Sequence, residues 1–406
     1  MILFIFFLIL LIITGLNLFL CKRVDAPPVI LGIVFLVSYL IINFTYGSLE
    51  NEQLFYGCYV IATITFSMGF YVTGNRTKIA LTPIKYRIQI NKSFFKMFVI
   101  IGYIVALIEI SYMIPILISN SGNAWHLIRQ NYENSQLLDL LNLYIIMFYF
   151  VCFTIWLIDK NSVNRKRLVY ELPTLIPVVL CANRGTWFML IIGTIFLLLI
   201  INRTSNSKTV KIAVFSIVIL MGIILISSIW KYGDYFDSYE KIFQMVSKSY
   251  FSTQFVAFRK KMEWINAGHG RMGMGENTFR FIIAIAHYFG LADEPVDIVQ
   301  KFVNIYRFNT NVYTGLSYYA TDFGMWWAYF IEFILGILYG YLFKRAFKYQ
   351  SSEIFAIIAL SMLMYPLINQ FFDDKYFSVF WQWIKQFLFL WIFTRKSVLM
   401  IDKEVE

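Results

Sequence analysis

Apolar runs close to a bilayer's thickness recur along this chain, separated mostly by short polar connections. A bilayer core takes roughly 20 apolar residues per helix, within a range of about 17–25. Runs of that kind fall at 2–20, 28–47, 54–73, 97–119, 137–158, 169–183, 185–202, 212–230, 322–343, 352–372 and 376–394. They predict an all-α polytopic transmembrane bundle of about eleven spans, one integral membrane domain over residues 1–406. The sixth run is short and carries Pro173 and Pro177, so 169–202 reads as two spans or as a re-entrant hairpin. The first run starts at Met1 with no basic stretch before it, and Leu20 rather than a small residue precedes Cys21. Residues 1–20 therefore read as a retained span, not a cleaved signal.

Lys and Arg collect on alternate connections. Lys22 and Arg23 follow the first run, the stretch from Arg76 to Lys96 follows the third, and Lys160 with Arg165 to Arg167 follow the fifth. Arg203, Lys208 and Lys211 follow the seventh; Lys344, Arg345 and Lys348 the ninth; Arg395, Lys396 and Lys403 the last. The other short connections hold almost none. Cytoplasmic loops are the ones enriched in Lys and Arg. The N-terminus is thus expected outside and the C-terminus inside, provided 169–202 crosses twice.

Composition agrees with a lipid solvent: 59% of the 406 residues are hydrophobic and only 15% are charged. Soluble domains carry about 25% charge. The net charge of +11 is spent on topology, so nucleic acid is excluded as a partner. Cys21, Cys58, Cys152 and Cys181 lie in or beside apolar runs and match neither a disulfide framework nor a zinc site. No metal or cofactor is expected.

Residues 231–321 form the one long stretch without a span, an extracytoplasmic loop by the charge pattern. Its first part, 237–266, spaces Tyr239, Ile242, Phe243, Val246, Tyr250, Met262 and Ile265 for an amphipathic helix at the membrane interface. Exposed aromatics (Tyr232, Tyr235, Phe236, Trp264) suit either interfacial anchoring or stacking on pyranose rings. Then comes Gly268-His269-Gly270-Arg271-Met272-Gly273-Met274-Gly275, followed by a helix expected from about Glu276. The letters match a dinucleotide fingerprint, but no strand precedes them, and that reading is rejected. Amides ahead of a helix N-terminus still favour a phosphate, with Arg271 among them. A second helix is expected over Pro295–Phe308, leading to a polar turn Asn311-Val312-Tyr313-Thr314 and back into the membrane at Asp322-Phe323-Gly324.

Ionisable groups at membrane depth are expensive and mark function by default. Arg184, in Asn183-Arg184-Gly185, sits at the expected outer tip of the 169–202 hairpin and offers a permanently charged donor fork suited to phosphate. Asp322 is the buried-acid candidate. Glu109, Glu332 and Lys385 also fall inside runs, as intramembrane partners of unassigned role. His126, His269 and His287 lie on the expected outer side, the last two flanking Arg271 and Arg280.

These residues resemble those of the bacterial oligosaccharide repeat-unit polymerases of the Wzy type, which build O-antigen and capsule. The resemblance rests on Asn183-Arg184-Gly185, on a long penultimate outer loop with a glycine-rich turn before a helix, and on Asn311-Val312-Tyr313-Thr314 followed by Asp322-Phe323-Gly324 and Leu335 to Gly340. It covers roughly residues 180–345. Some members carry an Arg and a Gly with ten residues between them in two outer loops, a spacing absent around Arg184, Arg271 and Arg280. The family's substrate-arm assignments are therefore not carried over.

The resemblance implies a multi-pass enzyme of the bacterial cytoplasmic membrane. It would transfer a glycan from undecaprenyl diphosphate onto another lipid-linked repeat unit, alongside a chain-length regulator and a flippase. Arg184, Arg271 and Arg280 would clamp the diphosphate, Asp322 or His287 would be the general base, and His269, Asn311, Tyr313 and Thr314 would contact substrate. A flippase would be read from internal repeats, which the two halves lack; an O-antigen ligase would share the donor lipid. A polyprenyl-phosphate-sugar transferase would use an acidic pair such as Glu50 and Glu52 for a divalent cation.

Overall fold

The computed structural model describes residues 2–46, 53–74, 87–119, 127–128, 135–159, 162–181, 184–212, 215, 222, 253–270, 272–296, 302–305, 308–347 and 353–402. In chain order the main elements are α1 (Ile2–Cys21), α2 (Pro27–Tyr46), α3 (Gly57–Gly74), β1 (Arg87–Ile90), α4 (Lys92–Ser119) and α5 (Gln136–Ile158). There follow α6 (Ser162–Glu171), α7 (Leu175–Leu180), α8 (Arg184–Asn202), α9 (Thr253–Asn266), α10 (Arg280–Tyr288), β2 (Val303–Ile305) and β3 (Phe308–Thr310). The chain continues through α11 (Gly315–Phe323), α12 (Met325–Phe347), α13 (Ile354–Asn369), α14 (Phe380–Thr394) and β4 (Leu399–Asp402). Six described helices, within α1, α3, α4, α5, α8 and α12, are long and apolar enough to cross a membrane. Two shorter apolar helices, Pro27–Ile42 and Ile354–Asn369, join them. The protein is a helical membrane bundle. Glu50, Glu52, His126, most of 212–230 and the first part of 237–266 lie outside the described residues.

The chain divides into two compact units. The first comprises Met1–Thr77, Ser205–Lys344 and Pro366–Phe380; the second comprises Lys78–Thr204, Arg345–Tyr365 and Trp381–Glu406. In the first, Asn17 of α1 donates to Ser67 Oγ and accepts from Tyr71 Oη, each at 2.9 Å, which clips α1 to α3. The turn after α1 is fixed by a buried bidentate pair, Arg23 on Asp25 at 2.7–2.8 Å.

α3 and α12 meet backbone to backbone. A Cβ on Gly336 would overlap the carbonyl oxygen of Phe66, one on Gly340 that of Phe70, and one on Gly69 that of Phe333. Glycine is required here because apolar helices gain nothing from burial against each other in lipid and associate by close packing. The pairs 66–336 and 70–340 advance together, so α3 and α12 run parallel.

In the second unit, α4 and α5 run antiparallel, with Phe95 and Phe98 on Phe148 and the Tyr144 hydroxyl donating to the Phe98 carbonyl at 2.8 Å. α14 runs parallel to α5: Asp139 meets Lys385, Tyr144 meets Phe389, and Phe148 meets Phe393. β1 and β4 form an antiparallel ladder with Arg87 opposite Asp402. All four cysteines are buried and unbridged.

One expected element is replaced. Among the described residues of Pro295–Phe308, where a helix is expected, there is strand instead: β2 and β3 pair antiparallel, with Val303 opposite Thr310 and Ile305 opposite Phe308. The alternation Val303-Asn304-Ile305 has the two-residue period of a strand, which outweighs helical propensity over so short a run.

Candidate functional site

Two of the three segments that carry the resemblance come together in the first unit, around α11. This helix is wholly buried from Gly315 to Asp322 although half its residues are polar. Asp322 shows why. Its Oδ1 accepts from the Asn277 amide N–H at 3.1 Å and from Asn277 Nδ2 at 2.8 Å. Its Oδ2 accepts from the Thr278 N–H and the Thr278 hydroxyl, both at 2.6 Å. The turn is further laid on α11 by Gly273 N–H to the Thr321 carbonyl at 2.8 Å and Met274 N–H to the Asp322 carbonyl at 3.2 Å.

The sequence places an anion on the amides of this glycine-rich turn. Just past it, the amides of Asn277 and Thr278 hold the protein's own carboxylate. Four donors on Asp322 delay the helix, so α10 starts at Arg280 rather than near Glu276. A Cβ on Gly273 would stand 2.6 Å from Asp322 Oδ1, and Gly275 has φ +96°. Gly324, at φ +86°, separates α11 from α12. The Asp and Gly of Asp322-Phe323-Gly324 are thus an anchor and a helix break, while Phe323 packs on Trp327 at 5.2 Å.

Beneath the turn lies a cation that sequence reading passed over. Lys261 of α9 holds its ammonium 5.1 Å from the Tyr313 ring centroid. Burial pushes it down from its ordinary 10.5 to about 8, and the Asp322 charge opposes that shift. Its signal was its register: Lys261 shares a helical face with Gln254, Phe258 and Ile265, all buried. Tyr313 is itself buried, and burial raises its hydroxyl to about 12. Thr314 is buried with its hydroxyl 3.2 Å from that of Tyr59. Asn311 is half-buried.

On its other side α11 grips the connection between α13 and α14. Tyr319 donates to Asp374 Oδ1 at 2.7 Å, and Asp374 also accepts the amides of Tyr376, Phe377 and Ser378 at 2.7–3.1 Å. Burial raises the Asp374 carboxyl, and these donors work against the rise. Gly315 N–H donates to the Gln370 carbonyl at 2.8 Å, and Gln370 Nε2 to Glu332 at 3.3 Å, which gives Glu332 its partner. The adjacent acids Asp373 and Asp374 between two apolar helices were the sequence signal for this second anchor.

The remaining site residues are dispersed. Arg280 opens α10 and its Nε donates to the Val296 carbonyl at 2.6 Å. His287, near the end of that helix, is exposed, with Nδ1 3.1 Å from the Ala292 carbonyl, to which it donates. His269 is exposed in the turn after α9. Arg271 lies outside the described residues. Arg184 is the first residue of α8 and belongs to the second unit; its side chain is likewise outside the description. α10 presents Ile282, Ile285, Tyr288 and Phe289 to the surroundings although it is not among the spanning helices, the character of an interfacial helix.

No known family model, curated protein or solved structure matches this chain.

Proposed function

We propose that this protein polymerises undecaprenyl-diphosphate-linked oligosaccharide repeat units at the outer face of the bacterial cytoplasmic membrane, in O-antigen or capsule synthesis. The observation that carries the reading is the bonding of Asp322 to Asn277 and Thr278, which joins two of the three segments on which the resemblance rests. The parallel courses of α3 with α12 and of α5 with α14 support it too. They are the directions that the third and ninth, and the fifth and eleventh, apolar runs take if every run crosses.

In the reaction an acceptor sugar hydroxyl attacks the anomeric carbon of the donor glycan. Its C–O bond to the diphosphate breaks, and undecaprenyl diphosphate leaves with the electron pair. The charge growing on that diphosphate is met by Lys261, Arg280 and Arg271; Arg184 is the further cation that the resemblance implies. The acceptor proton passes to the exposed His287 in preference to Asp322, whose oxygens already hold four hydrogens. Asp322 positions the turn; Tyr313, Thr314, Asn311 and His269 contact sugar.

Deleting the chain and separating the surface glycan on a gel tests the proposal. Single-repeat capping is the expected result. Loss of all surface glycan identifies a flippase instead, and unattached lipid-borne polymer a ligase. In the complemented strain Arg184→Ala abolishes long chains at unchanged protein level. Asp322→Asn reduces elongation strongly, and a normal ladder there removes Asp322 from the site.

A further inference from the structure

The second unit contains a polar stripe that the diphosphate-binding residues of the first do not use. Asp139 and Asn142 lie three residues apart on α5, and Gln382, Lys385 and Gln386 occupy one face of α14. The two faces meet: Lys385 Nζ is 2.7 Å from Asp139 Oδ2, and Gln382 Nε2 is 3.4 Å from Asp139 Oδ1. One turn deeper, Asn142 and Gln386 are 7% and 4% exposed, yet Asn142 Oδ1 and Gln386 Oε1 have no hydrogen-bond partner among the described residues. Below them the Tyr144, Phe389 and Phe393 rings close the stripe, with Tyr144 at 5.6 and 5.2 Å from the two phenylalanines. Asn142 Nδ2 reaches Cys181 Sγ at 3.5 Å, three residues ahead of Arg184.

Buried amide oxygens without partners in an apolar helix pair are costly, and natural sequences keep them for ligands or water. The charges select the ligand. Lys385 neutralises Asp139, so the stripe as a whole favours neither an anion nor a cation. An anion would face Asp139 and two amide oxygens, all acceptors. The unmet need is for donors that also accept, set above aromatic rings, and hydroxyls on a pyranose supply both.

We propose that the α5–α14 stripe is a carbohydrate subsite, holding a neutral sugar of the lipid-linked glycan against Asn142, Gln386 and the Asp139–Lys385 pair. This rests on the polymerase reading and extends it. The stripe belongs to the same unit as Arg184, and Cys181, which Asn142 reaches, lies three residues before it.

The test uses the full chain in nanodiscs with Asn142→Leu, Gln386→Leu and the double variant. Leucine approximates the size of either amide and suits the apolar surroundings, so unfolding temperatures hold or rise. The probes are the undecaprenyl-diphosphate-linked repeat unit extracted from the deletion strain and undecaprenyl diphosphate without sugar. Each single variant is expected to bind the sugar-bearing lipid at least tenfold more weakly, with binding of the bare lipid unchanged. Equal affinity of wild type and double variant for the sugar-bearing lipid overturns the subsite. So does an equal loss for the bare lipid, or a wild type that responds to sodium or pH but not to that lipid. If the variants lose sugar binding while the deletion strain still makes full-length polymer, the polymerase reading fails and the carbohydrate site stands.

Discussion

At the scale of single residues, the first unit spends stability on a cation. Lys261 loses its proton near pH 8 when folded and near 10.5 when unfolded. Between those values the unfolded chain holds the extra proton, so stability rises with pH across that window. Below it both states are charged and the whole burial cost applies, on the order of 3 kcal/mol. Lys261→Met should therefore be more stable than wild type at pH 7 and lose that advantage by pH 10, measured by thermal unfolding in detergent. The same variant should lose polymer on the glycan gel. A stable, inactive Lys261→Met separates a binding cation from a structural one; full activity would remove Lys261 from the site. Asp322 behaves oppositely, since hydrogen bonds to a charged group are each worth about 1.5–3 kcal/mol and it makes four.

At the scale of elements, two arrangements organise the first unit: the glycine seam between α3 and α12, and the buried α11 between its two anchored turns. Gly336→Ala places a methyl group against the Phe66 carbonyl and should cost about 1–3 kcal/mol or more as overpacking. Gly15→Ala in α1, where nothing lies within 4 Å of the added methyl, should be neutral or stabilising by up to about 1 kcal/mol. Comparable unfolding temperatures for the two variants would refute the seam. α10 carries its own expectation: a fluorophore at Ile285 should be quenched by brominated lipid, and one at Asp293 should not.

At the scale of the whole molecule, the claim that matters is topology. In a background with the four native cysteines replaced, single cysteines at 184, 269 and 311 should react with a membrane-impermeant maleimide in intact cells. Cysteines at 166 and 396 should react only after permeabilisation. Labelling in the reverse sense would place the proposed site away from its lipid-linked substrate. The parallel pairs, α3 with α12 and α5 with α14, already restrict the alternatives, because each pair must end on one side.

The sequence by itself determined that this chain lives in lipid, roughly where its helices lie and which residues carry unusual charge. Those properties depend on local hydrophobicity, which twenty consecutive residues display without help from the rest of the chain. It also exposed the glycine-rich turn and Asp322 as special, since Gly and Asp are costly in such surroundings unless something requires them. Only the tertiary structure decided how they meet: the amides of Asn277 and Thr278, just past the turn, are filled by Asp322, a carboxylate more than forty residues away. Lys385 likewise found its partner in Asp139, 246 residues earlier in the sequence. Lys261, Asp374 and the Asn142–Gln386 pair were illegible because their significance lies in burial and in missing or distant partners. Burial of a polar group is a property of what packs around it, and a linear pattern of residue types does not contain it.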